Sequence, residues 1–554
     1  MISQLRLTRN RNLTLATLLD ELLEARAGQE VSYEEDFRGL DDRPQPVQRF
    51  EDLYREVNAL SRFLVEETGL RRGDLVAISK TNDVRCFRWF LAVIRAGGIA
   101  VPLNPLLSLA EVETILTQCG ASVLVTDHTV FESTIRARQA LPVTHWIQGD
   151  SEAATLEGFR RVSPAYLEAP PLPPMRLDPD DPVAIFHTSG TEGFPKGVAL
   201  SSRALLGSRV MAILIALLLG KSDLALLALP WAHILAVSTV LYGLIAGARA
   251  CFLPRFDTQQ AIATIERHRV TVFVGVPAML VKLVEAAPPR EKLASIRMWV
   301  SASDFLPSAC RHRLLQYGAF ARLLGQRLVR PLLVNVYGMA ELGGSAMLGL
   351  DVPCLAGRGE LCVPLPPYRV RVADQDGRPV RRGEVGECLI KGPGLPTGYW
   401  KDPPGSSTLL TPDGWLRTGD LGVKNRWGLV RLVGRAKEVI KCGGYSVHVH
   451  EVEQVIAAHP SVASAAVVGI PHPQKGEAPI GVVELCEGFT TSQEELLAWC
   501  RTRLGLYKAP RRIHILEKGA MPQGVTEKVL KRVLRERYAG DFGPAESTFR
   551  ADIP

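Results

Sequence analysis

The stretches Leu75-Val-Ala-Ile78, Gly97-Gly-Ile-Ala-Val-Pro102 and Ser122-Val-Leu-Val-Thr126 decide the fold of the N-terminal part of this chain. Each contains a short apolar run typical of a buried strand. Two segments with helical periodicity, 86–96 and 111–119, lie between them. Because strands and helices alternate through short glycine-bearing turns, we expect parallel strands covered by helices.

The same alternation returns between residues 248 and 300. Strands are predicted at 250–253, 272–274 and 298–300, with a helix at 259–267. The two regions share no sequence self-similarity, so the repeat is one of topology. Since 554 residues exceed what one compact core usually needs, we expect two related α/β subdomains.

Beyond residue 357 the pattern changes. Short β runs separated by turn residues, such as Asp376-Gly377, continue to Gly434 and predict a smaller β-rich subdomain. After Gly434 strands and helices mix. We therefore predict an α/β fold with a large N-terminal domain of two α/β layered subdomains plus a β-rich subdomain (residues 1–436), followed by a small α+β C-terminal domain (residues 437–554).

Charge and cysteine content exclude several classes of protein. The net charge of +7 is small for 554 residues, and no dense basic stripe is present, so a nucleic-acid partner is not expected. A mildly basic surface would suit an anionic substrate, and it arises by chance equally well. The ten cysteines are scattered without a Cys-x-x-Cys pair. This pattern disfavours a zinc site or a disulfide framework, and we expect reduced thiols and a cytoplasmic location.

The most apolar region, 210–254, does not predict a membrane span. Lys221, Asp223 and Arg249 interrupt it, so no stretch reaches the roughly 18–20 apolar residues that a transmembrane helix needs. Buried helices and strands explain the region better. Peripheral contact with a membrane stays open.

A predicted strand, Val183–Phe186, leads into the segment His187-Thr-Ser-Gly-Thr-Glu-Gly-Phe-Pro-Lys-Gly197. Its glycines allow backbone N–H groups to turn toward an anion, its hydroxyls can donate hydrogen bonds to phosphate oxygens, and its lysine adds a positive charge. The segment lacks the Gly-Lys-Ser/Thr ending of a Walker A loop, and composition alone also permits an ordinary hairpin. The candidate phosphate-binding residues are Thr188, Ser189, Gly190, Thr191, Gly193 and Lys196.

Two later motifs supply the other candidate groups. In Val334-Asn-Val-Tyr-Gly-Met-Ala-Glu341 a carboxylate beyond a strand end can bind Mg²⁺ through oxygen, and Tyr337 can stack on a purine. In Gly414-Trp-Leu-Arg-Thr-Gly-Asp420 the aspartate suits a grip on vicinal ribose hydroxyls. Arg435 adds a planar donor group soon afterwards.

Taken together, these motifs resemble those of the superfamily of acyl-CoA synthetases, peptide-synthetase adenylation domains and firefly luciferase, most of all the fatty acyl-CoA ligases. The resemblance extends from about Leu75 to Leu534. It implies ATP-dependent activation of a carboxylic acid, fatty or otherwise apolar, to acyl-AMP, followed by transfer to coenzyme A. It further implies that ATP, Mg²⁺ and coenzyme A are used, and that the C-terminal domain is mobile between the two steps.

The resemblance also assigns roles to individual residues. The loop 188–197 would wrap the β- and γ-phosphates, Tyr337 would stack on adenine, and Glu341 would bind Mg²⁺. The other implied roles are ribose binding by Asp420 and Arg435, contact with the acyl carboxylate by His233, hinge rotation at Lys437, catalysis of adenylation by Lys528, contact with the intermediate by Lys441 and Ser446, and a place on the thiol path for Gly444.

The chain departs from the family pattern at several positions. Ala340 stands where a threonine is usual, Glu527 where a glycine precedes the catalytic lysine, and Ser202 where a histidine is common. Ala302 replaces a typical glycine of the acyl pocket. Two alternatives therefore stay open: an acyl-AMP ligase that loads the phosphopantetheine thiol of an acyl carrier protein, and a non-catalytic nucleotide- or acyl-binding paralogue. His448 and His450 are expected on a strand, as ordinary residues.

Overall fold

The computed structural model describes residues 7, 10, 12–136, 141–150, 156–188, 196–207, 209–219, 223–323, 326–351, 361–396, 398–443, 445–524 and 529–542. The predicted alternation at the N-terminus is confirmed. It forms a seven-stranded sheet that is parallel except for a final antiparallel hairpin. In spatial order its strands are Arg160–Arg161, His145–Gln148, Val123–Thr126, Leu75–Ser79, Ile99–Pro102, Pro182–Thr188 and Lys196–Ser201.

The second alternating region and the β-rich region join in one thirteen-stranded sheet. Its central part is parallel and its outer strands are antiparallel. In spatial order the strands are Arg369–Ala373, Val385–Lys391, Leu416–Lys424, Val430–Arg435, Leu361–Pro364, Gly344–Asp351, Leu332–Met339, Met298–Ala302, Val272–Gly275, Leu224–Leu227, Arg249–Phe252, Glu30–Tyr33 and Val47–Arg49. The β-rich subdomain has its own apolar core, yet its strands continue the hydrogen bonding of the second sheet.

The C-terminal unit, residues 437–542 as described, is built on a five-stranded sheet. Its strands are Val439–Cys442, Tyr445–His448, Val462–His472, Gly476–Leu485 and Arg512–Leu516. Outside this unit, two further strands of the N-terminal domain, Ala321–Leu323 and Gln326–Val329, form a separate hairpin. The α+β character predicted for the C-terminal unit is confirmed. The strand expected around His450 is wrong, because the strand ends at His448 and His450 lies in the next helix.

Helices pack against both large sheets. Local capping explains several boundaries: the Asp83 carboxylate accepts from the Arg85 amide at 2.9 Å, and Ser108 and Glu111 form a capping box. The helices are Leu18–Arg26, Phe50–Thr68, Val84–Arg95, Leu109–Cys119, His128–Val130, Ser202–Leu205, Arg209–Leu218, Ile234–Ala246, Thr258–His268, Pro277–Glu285, Ser308–Leu314, Pro403–Leu409, Val449–Ala457, Gln493–Arg501 and Lys531–Tyr538, with shorter 3₁₀ or π turns at Phe131–Ile135, Pro164–Leu167, Ala340–Leu342 and Ala436–Glu438.

The two α/β sheets share one continuous apolar core. The apolar region 210–254 is divided into two helices and two strands. Within the described ranges, no helix has both the length and the apolar character needed to cross a bilayer. The phosphate-loop segment follows the carboxyl end of Pro182–Thr188, and Glu341 follows that of Leu332–Met339; each of these strands has a parallel neighbour, which is where open α/β sheets place their ligand sites.

Candidate active site

The phosphate-loop motif joins the two strands of an antiparallel hairpin. Thr188 ends the first strand and pairs with Lys196, which begins the second. The Thr188 hydroxyl donates to the Lys196 carbonyl oxygen at 3.4 Å. Four predicted phosphate-binding residues of the connecting segment lie outside the described residues: Ser189, Gly190, Thr191 and Gly193. The hairpin therefore fixes both ends of the segment that the sequence analysis singled out.

Lys196 carries the positive charge of this hairpin. Its ammonium group lies 3.8 Å from the Asp402 carboxylate and 5.2 Å from the centre of the Tyr399 ring. The side chain is 36% exposed, so it can reach an incoming anion. The Trp400 amide donates to the Gly197 carbonyl at 2.7 Å and attaches the segment that carries Tyr399 and Asp402 to the hairpin. A loosely paired lysine on a rigid strand suits contact with a phosphate group.

Glu341 lies in a 3₁₀ turn directly after the strand Leu332–Met339 and is only 7% exposed. The Tyr399 hydroxyl donates to its Oε1 at 3.0 Å. Burial raises the pKa of Glu341 above its usual value, although this hydrogen bond and the charge of Arg435 act in the opposite direction. The ionised form of a buried carboxylate with a raised pKa is stabilised by a cation placed beside it.

The donor set around Glu341 fits Mg²⁺ delivered with a nucleotide. Among the residues that the structure describes, no three histidine, cysteine, aspartate or glutamate side chains converge as a metal cage. Mg²⁺ commonly takes one or two protein carboxylates and completes its shell with phosphate oxygens and water. The single buried carboxylate of Glu341, close to the hairpin that carries Lys196, matches that pattern.

Tyr337, Asp420 and Arg435 form a second group. The Tyr337 hydroxyl donates to Asp420 Oδ2 at 2.7 Å, and Arg435 Nε lies 3.1 Å from Asp420 Oδ1. Asp420 and Arg435 face each other on neighbouring antiparallel strands. Burial, reinforced by the negative charge of Asp420, raises the pKa of Tyr337 well above its usual value. The phenol therefore remains a hydrogen-bond donor that orients the carboxylate.

The backbone before Asp420 is held in a specific conformation. Gly419 has a φ of 69°, in the left-handed region that favours glycine, and its amide donates to Glu387 at 3.1 Å. The Thr418 hydroxyl accepts from the Asp420 amide at 3.0 Å and donates to the Cys388 carbonyl at 2.7 Å. The Thr-Gly-Asp sequence thus has a structural reason: it turns the carboxylate of Asp420 toward Tyr337 and Arg435.

His233 caps the N-terminus of the helix Ile234–Ala246. Its Nδ1 accepts from the Leu235 amide at 3.2 Å, which places the proton of the neutral ring on Nε2. The helix packs close to the turn after Glu341: a Cβ on Gly344 would lie 3.2 Å from the Tyr242 hydroxyl. The structure therefore brings the helix that begins at His233 against the strand Gly344–Asp351, which follows the turn that carries Glu341.

The predicted residues of the C-terminal unit are placed less completely. Lys528 and Gly444 lie outside the described residues. The Lys441 ammonium donates to the Ser446 hydroxyl at 2.8 Å, and both side chains are exposed. Lys437 is exposed in the 3₁₀ turn Ala436–Glu438. The contacts of Lys441 lie within the C-terminal unit, so the structure does not bring it into the group around Asp420.

Two of the departures from the family pattern are buried, and a third, Ala340, begins the 3₁₀ turn that carries Glu341. Ser202 is fully buried, and its hydroxyl accepts from the Leu15 amide at 3.0 Å, so it ties the N-terminal segment to the helix after the hairpin. Ala302 is 3% exposed at the end of its strand, and Ser303 follows it with a φ of 75°. Glu527 lies outside the described residues.

Tyr399 and Asp402 were missed by the sequence analysis. Tyr399 links Lys196 to Glu341, and Asp402 pairs with Lys196 and caps the helix Pro403–Leu409. Their segment, Gly398-Tyr-Trp-Lys-Asp402, carries no residue pattern that indicates phosphate or metal chemistry. No signal in the sequence could have identified them, because their importance arises from contacts with distant residues.

Comparisons with known proteins identify the family of the chain. A family model described as AMP-binding enzyme matches residues 46–400, and one described as AMP-binding enzyme C-terminal domain matches residues 451–545. A feruloyl-CoA synthase from Amycolatopsis sp is 32% identical over 497 residues, covering 88% of this chain and 94% of that protein. A long-chain-fatty-acid–CoA ligase from Mycobacterium tuberculosis is 29% identical over 495 residues, covering 88% of this chain and 93% of that protein.

A solved structure shares the fold over almost the whole chain. The crystal structure of ATP-bound MatB from Rhodopseudomonas palustris superposes with a TM-score of 0.80 at 26% sequence identity. The match covers 96% of this chain and 100% of that chain.

Proposed function

The chain belongs to the family of AMP-binding enzymes as an AMP-forming acid–CoA ligase, and from this premise we propose that it activates an apolar carboxylic acid, fatty or aromatic. The acid is converted to acyl-AMP with release of pyrophosphate. The acyl group then passes to the thiol of coenzyme A with release of AMP. Use of ATP and coenzyme A is typical of the family.

One observation carries the nucleotide part of the proposal. Residues from separate stretches of sequence meet in two contact chains, Lys196–Tyr399–Glu341 and Tyr337–Asp420–Arg435. The first offers a positive charge and a buried carboxylate, which suit phosphates and Mg²⁺. The second offers a carboxylate held in place by a phenol and a guanidinium, which suits vicinal ribose hydroxyls. We assign phosphate contact to Thr188 and Lys196, and adenosine contact to Tyr337, Asp420 and Arg435.

The first step joins two anions, and the residues must offset their repulsion. An oxygen of the acid carboxylate forms a bond to the α-phosphorus while the bond from that phosphorus to pyrophosphate breaks. Lys196 neutralises charge on the departing phosphates, and Lys528 is assigned to the charge that develops at the α-phosphate. Mg²⁺ held at Glu341 would supply further neutralisation of the phosphate oxygens.

The acid side of the site is apolar apart from His233. Trp231, Ile234 and Leu235 next to it are each less than a tenth exposed, and the following helix is almost entirely apolar. His233, with its Nε2–H, is assigned to the acid carboxylate. An apolar surround with one polar group favours an acid with a hydrophobic tail. The relatives named for ferulate and for long-chain fatty acids support the same class.

The two half-reactions require different groups at one site, and we propose that the C-terminal unit rotates between them about Lys437. The exposed turn Ala436–Glu438 separates the thirteen-stranded sheet from the five-stranded sheet, which supports a domain boundary between residues 436 and 437. Rotation would replace Lys528 by Lys441, Gly444 and Ser446 at the acyl-adenylate. It would also limit access of water to a mixed anhydride that hydrolyses readily.

An acid panel tests this function. Acid-dependent exchange of pyrophosphate into ATP is measured with aromatic acids, fatty acids of increasing length, and short dicarboxylic acids. Thioester formation is then measured with free coenzyme A and with a phosphopantetheinylated acyl carrier protein. We expect exchange with one apolar class and thioester formation with coenzyme A.

Three other outcomes contradict parts of the proposal. Exchange confined to dicarboxylic acids would contradict the apolar substrate. Thioester formed only on the carrier protein would favour a carrier-loading acyl-AMP ligase. Absence of exchange across the whole panel would favour a non-catalytic binding role. Nucleotide binding by the wild type would then be compared with that of Asp420→Ala, which should lose it.

A further inference from the structure

The two α/β sheets meet at a joint formed by the side chain of Asn82. Its Oδ1 accepts from the Trp231 amide at 2.7 Å. Its Nδ2 donates to the Leu229 carbonyl at 3.1 Å and to the Pro254 carbonyl at 3.0 Å. One amide group therefore binds two loops that follow neighbouring parallel strands of the other sheet, Leu224–Leu227 and Arg249–Phe252.

The loop that carries Asn82 is held rigidly. Lys80 is completely buried, and its ammonium lies 2.7 Å from Asp83 and 3.8 Å from Asp127. The Thr81 amide donates to Asp127 at 2.6 Å, and the Val84 amide donates to Glu34 at 3.0 Å. Because every neighbour of Asn82 is fixed by a charged or buried partner, the amide of Asn82 is presented at a defined position.

The loop on the other side of the joint leads directly to His233. Trp231 is 5% exposed, and its ring lies 5.3 Å from that of Phe87 and 5.2 Å from that of Phe252. The His233 amide donates to the Pro230 carbonyl at 2.9 Å. Aromatic packing restrains the ring of Trp231 but is weakly directional. The hydrogen bonds from Asn82 are directional, and they fix the position and orientation of the backbone that leads to His233.

We propose that Asn82 is a positioning residue for the acid half of the active site: it holds the loop 229–233 so that His233 meets the substrate carboxylate. This inference rests on the proposed role of His233. A small cavity with room for about one water molecule lies beside the joint, between Lys80, Asn82 and Cys86 on one side and Trp231 and Ala232 on the other. Water entering after truncation can satisfy the backbone groups without reproducing their position.

The test combines Asn82→Ala with amide hydrogen exchange and with kinetics of the adenylation half-reaction. We expect faster exchange at the Trp231 amide, which has lost its acceptor. We also expect the KM for the acid to rise, or acid-dependent turnover to fall, on the order of 10- to 100-fold, since small misplacements of a catalytic group have effects of this size. The KM for ATP should stay within about two-fold, because the residues assigned to ATP lie on other elements.

Asn58→Ala is the matched control. Asn58 carries the same amide group in the same subdomain; it is buried, whereas Asn82 is half-buried, and it binds Tyr54 and Arg95 instead of the loop. It should change neither the exchange of the Trp231 amide nor the KM for the acid. If Asn58→Ala produces the same changes, or if Asn82→Ala leaves both readouts at wild-type values, the inference is overturned.

Two further variants keep the outcome decisive. In a His233→Ala background, Asn82→Ala should raise the KM for the acid by less than about a further two-fold. If the double variant shows the full product of the two single effects on this KM, action through His233 is refuted. A His233→Ala variant with the wild-type acid KM would contradict the proposed function, while exchange at Trp231 still reports whether Asn82 holds the loop. If Asn82→Ala does not fold, the isosteric Asn82→Asp replaces it: the acid KM should rise with the ATP KM unchanged, and an unchanged acid KM would refute the inference.

Discussion

The hydroxyl of Tyr337 donates a 2.7 Å hydrogen bond to the carboxylate of Asp420, 83 positions later in the chain. Arg435 approaches the other oxygen of the same carboxylate. Both oxygens of Asp420 are thus oriented before any nucleotide binds. A pre-oriented acceptor lowers the entropy that the enzyme loses on binding a ribose, and this arrangement gives several predictions.

Tyr337→Phe keeps an aromatic ring and removes the bond to Asp420. Because a hydrogen bond to a charged group contributes about 1.5–3 kcal/mol, the KM for ATP should rise on the order of ten-fold, with a smaller change in kcat. Pyrophosphate exchange at varied ATP concentrations measures this. Tyr54→Phe is the control, since it removes a similar phenol–carboxylate bond, 2.8 Å to Asp20, from the helices covering the first sheet. Equal effects of the two variants would contradict the assignment.

Glu341→Gln should separate stability from activity. Burial raises the pKa of Glu341, so the folded protein binds more protons at this site than the unfolded chain. Its contribution to stability is therefore greatest below the unfolded pKa and falls as the pH rises through the folded pKa. At neutral pH, without Mg·ATP, Glu341→Gln should have a higher Tm than the wild type, and the difference should vanish in acid.

The same variant should adenylate its acid on the order of 100-fold more slowly, since the carboxylate proposed to hold Mg²⁺ is neutral. Differential scanning fluorimetry across pH and pyrophosphate exchange measure the two effects. A Glu341→Gln variant that is less stable at neutral pH would contradict the role of burial. Full activity would contradict the magnesium assignment.

The contact between Phe305 and His450 should depend on pH. The two rings stack with centroids 3.4 Å apart and join the segment after the strand Met298–Ala302 to the C-terminal unit. Burial lowers the pKa of His450 to about 4, while the charges of Asp304 and Glu438 act to raise it and that of Lys531 acts to lower it. This contact should therefore be strongest above about pH 6.5 and weaken as the pH falls toward 4.

Fluorescence energy transfer between a dye on the N-terminal domain and a dye on the C-terminal unit, followed from pH 7.5 to 5, measures whether this contact weakens. His450→Phe keeps a stacking ring and cannot be protonated, so it should remove the pH dependence. A pH response that persists in His450→Phe would assign the effect to other groups.

Lys528→Ala should affect the two half-reactions unequally. Loss of a positive charge at the developing transition state should slow adenylation on the order of 10²–10³-fold. Thioester formation from supplied acyl-AMP should change far less, because this lysine is assigned to the first conformation only. Lys518→Ala, which removes an exposed lysine of the same unit paired with Glu487 at 2.7 Å, is the control. Equal losses in both half-reactions would refute the rotation of the C-terminal unit.

The local residue pattern was sufficient to predict the fold class and to single out the motifs as candidate site residues. Strand and helix periodicity between Leu75 and Thr126 follows from which faces are buried, so it can be detected without knowing the neighbours. Likewise, phosphate and metal chemistry needs particular residue types in short order, as in Tyr337-Gly-Met-Ala-Glu341. These properties are local, and a linear pattern records them.

Contacts between distant segments could not be predicted in this way. Tyr399 meets Glu341 across 58 positions, and Asn82 meets Trp231 across 149. A tyrosine or an asparagine in a loop has no distinctive neighbours in sequence, and its partners are chosen when the two sheets pack and bring the ends of their parallel strands together. Folding also created the burial that shifts the pKa values of Glu341 and His450. Local chemistry therefore determined which residues this enzyme has available, and the packing of the sheets determined how they are oriented and held.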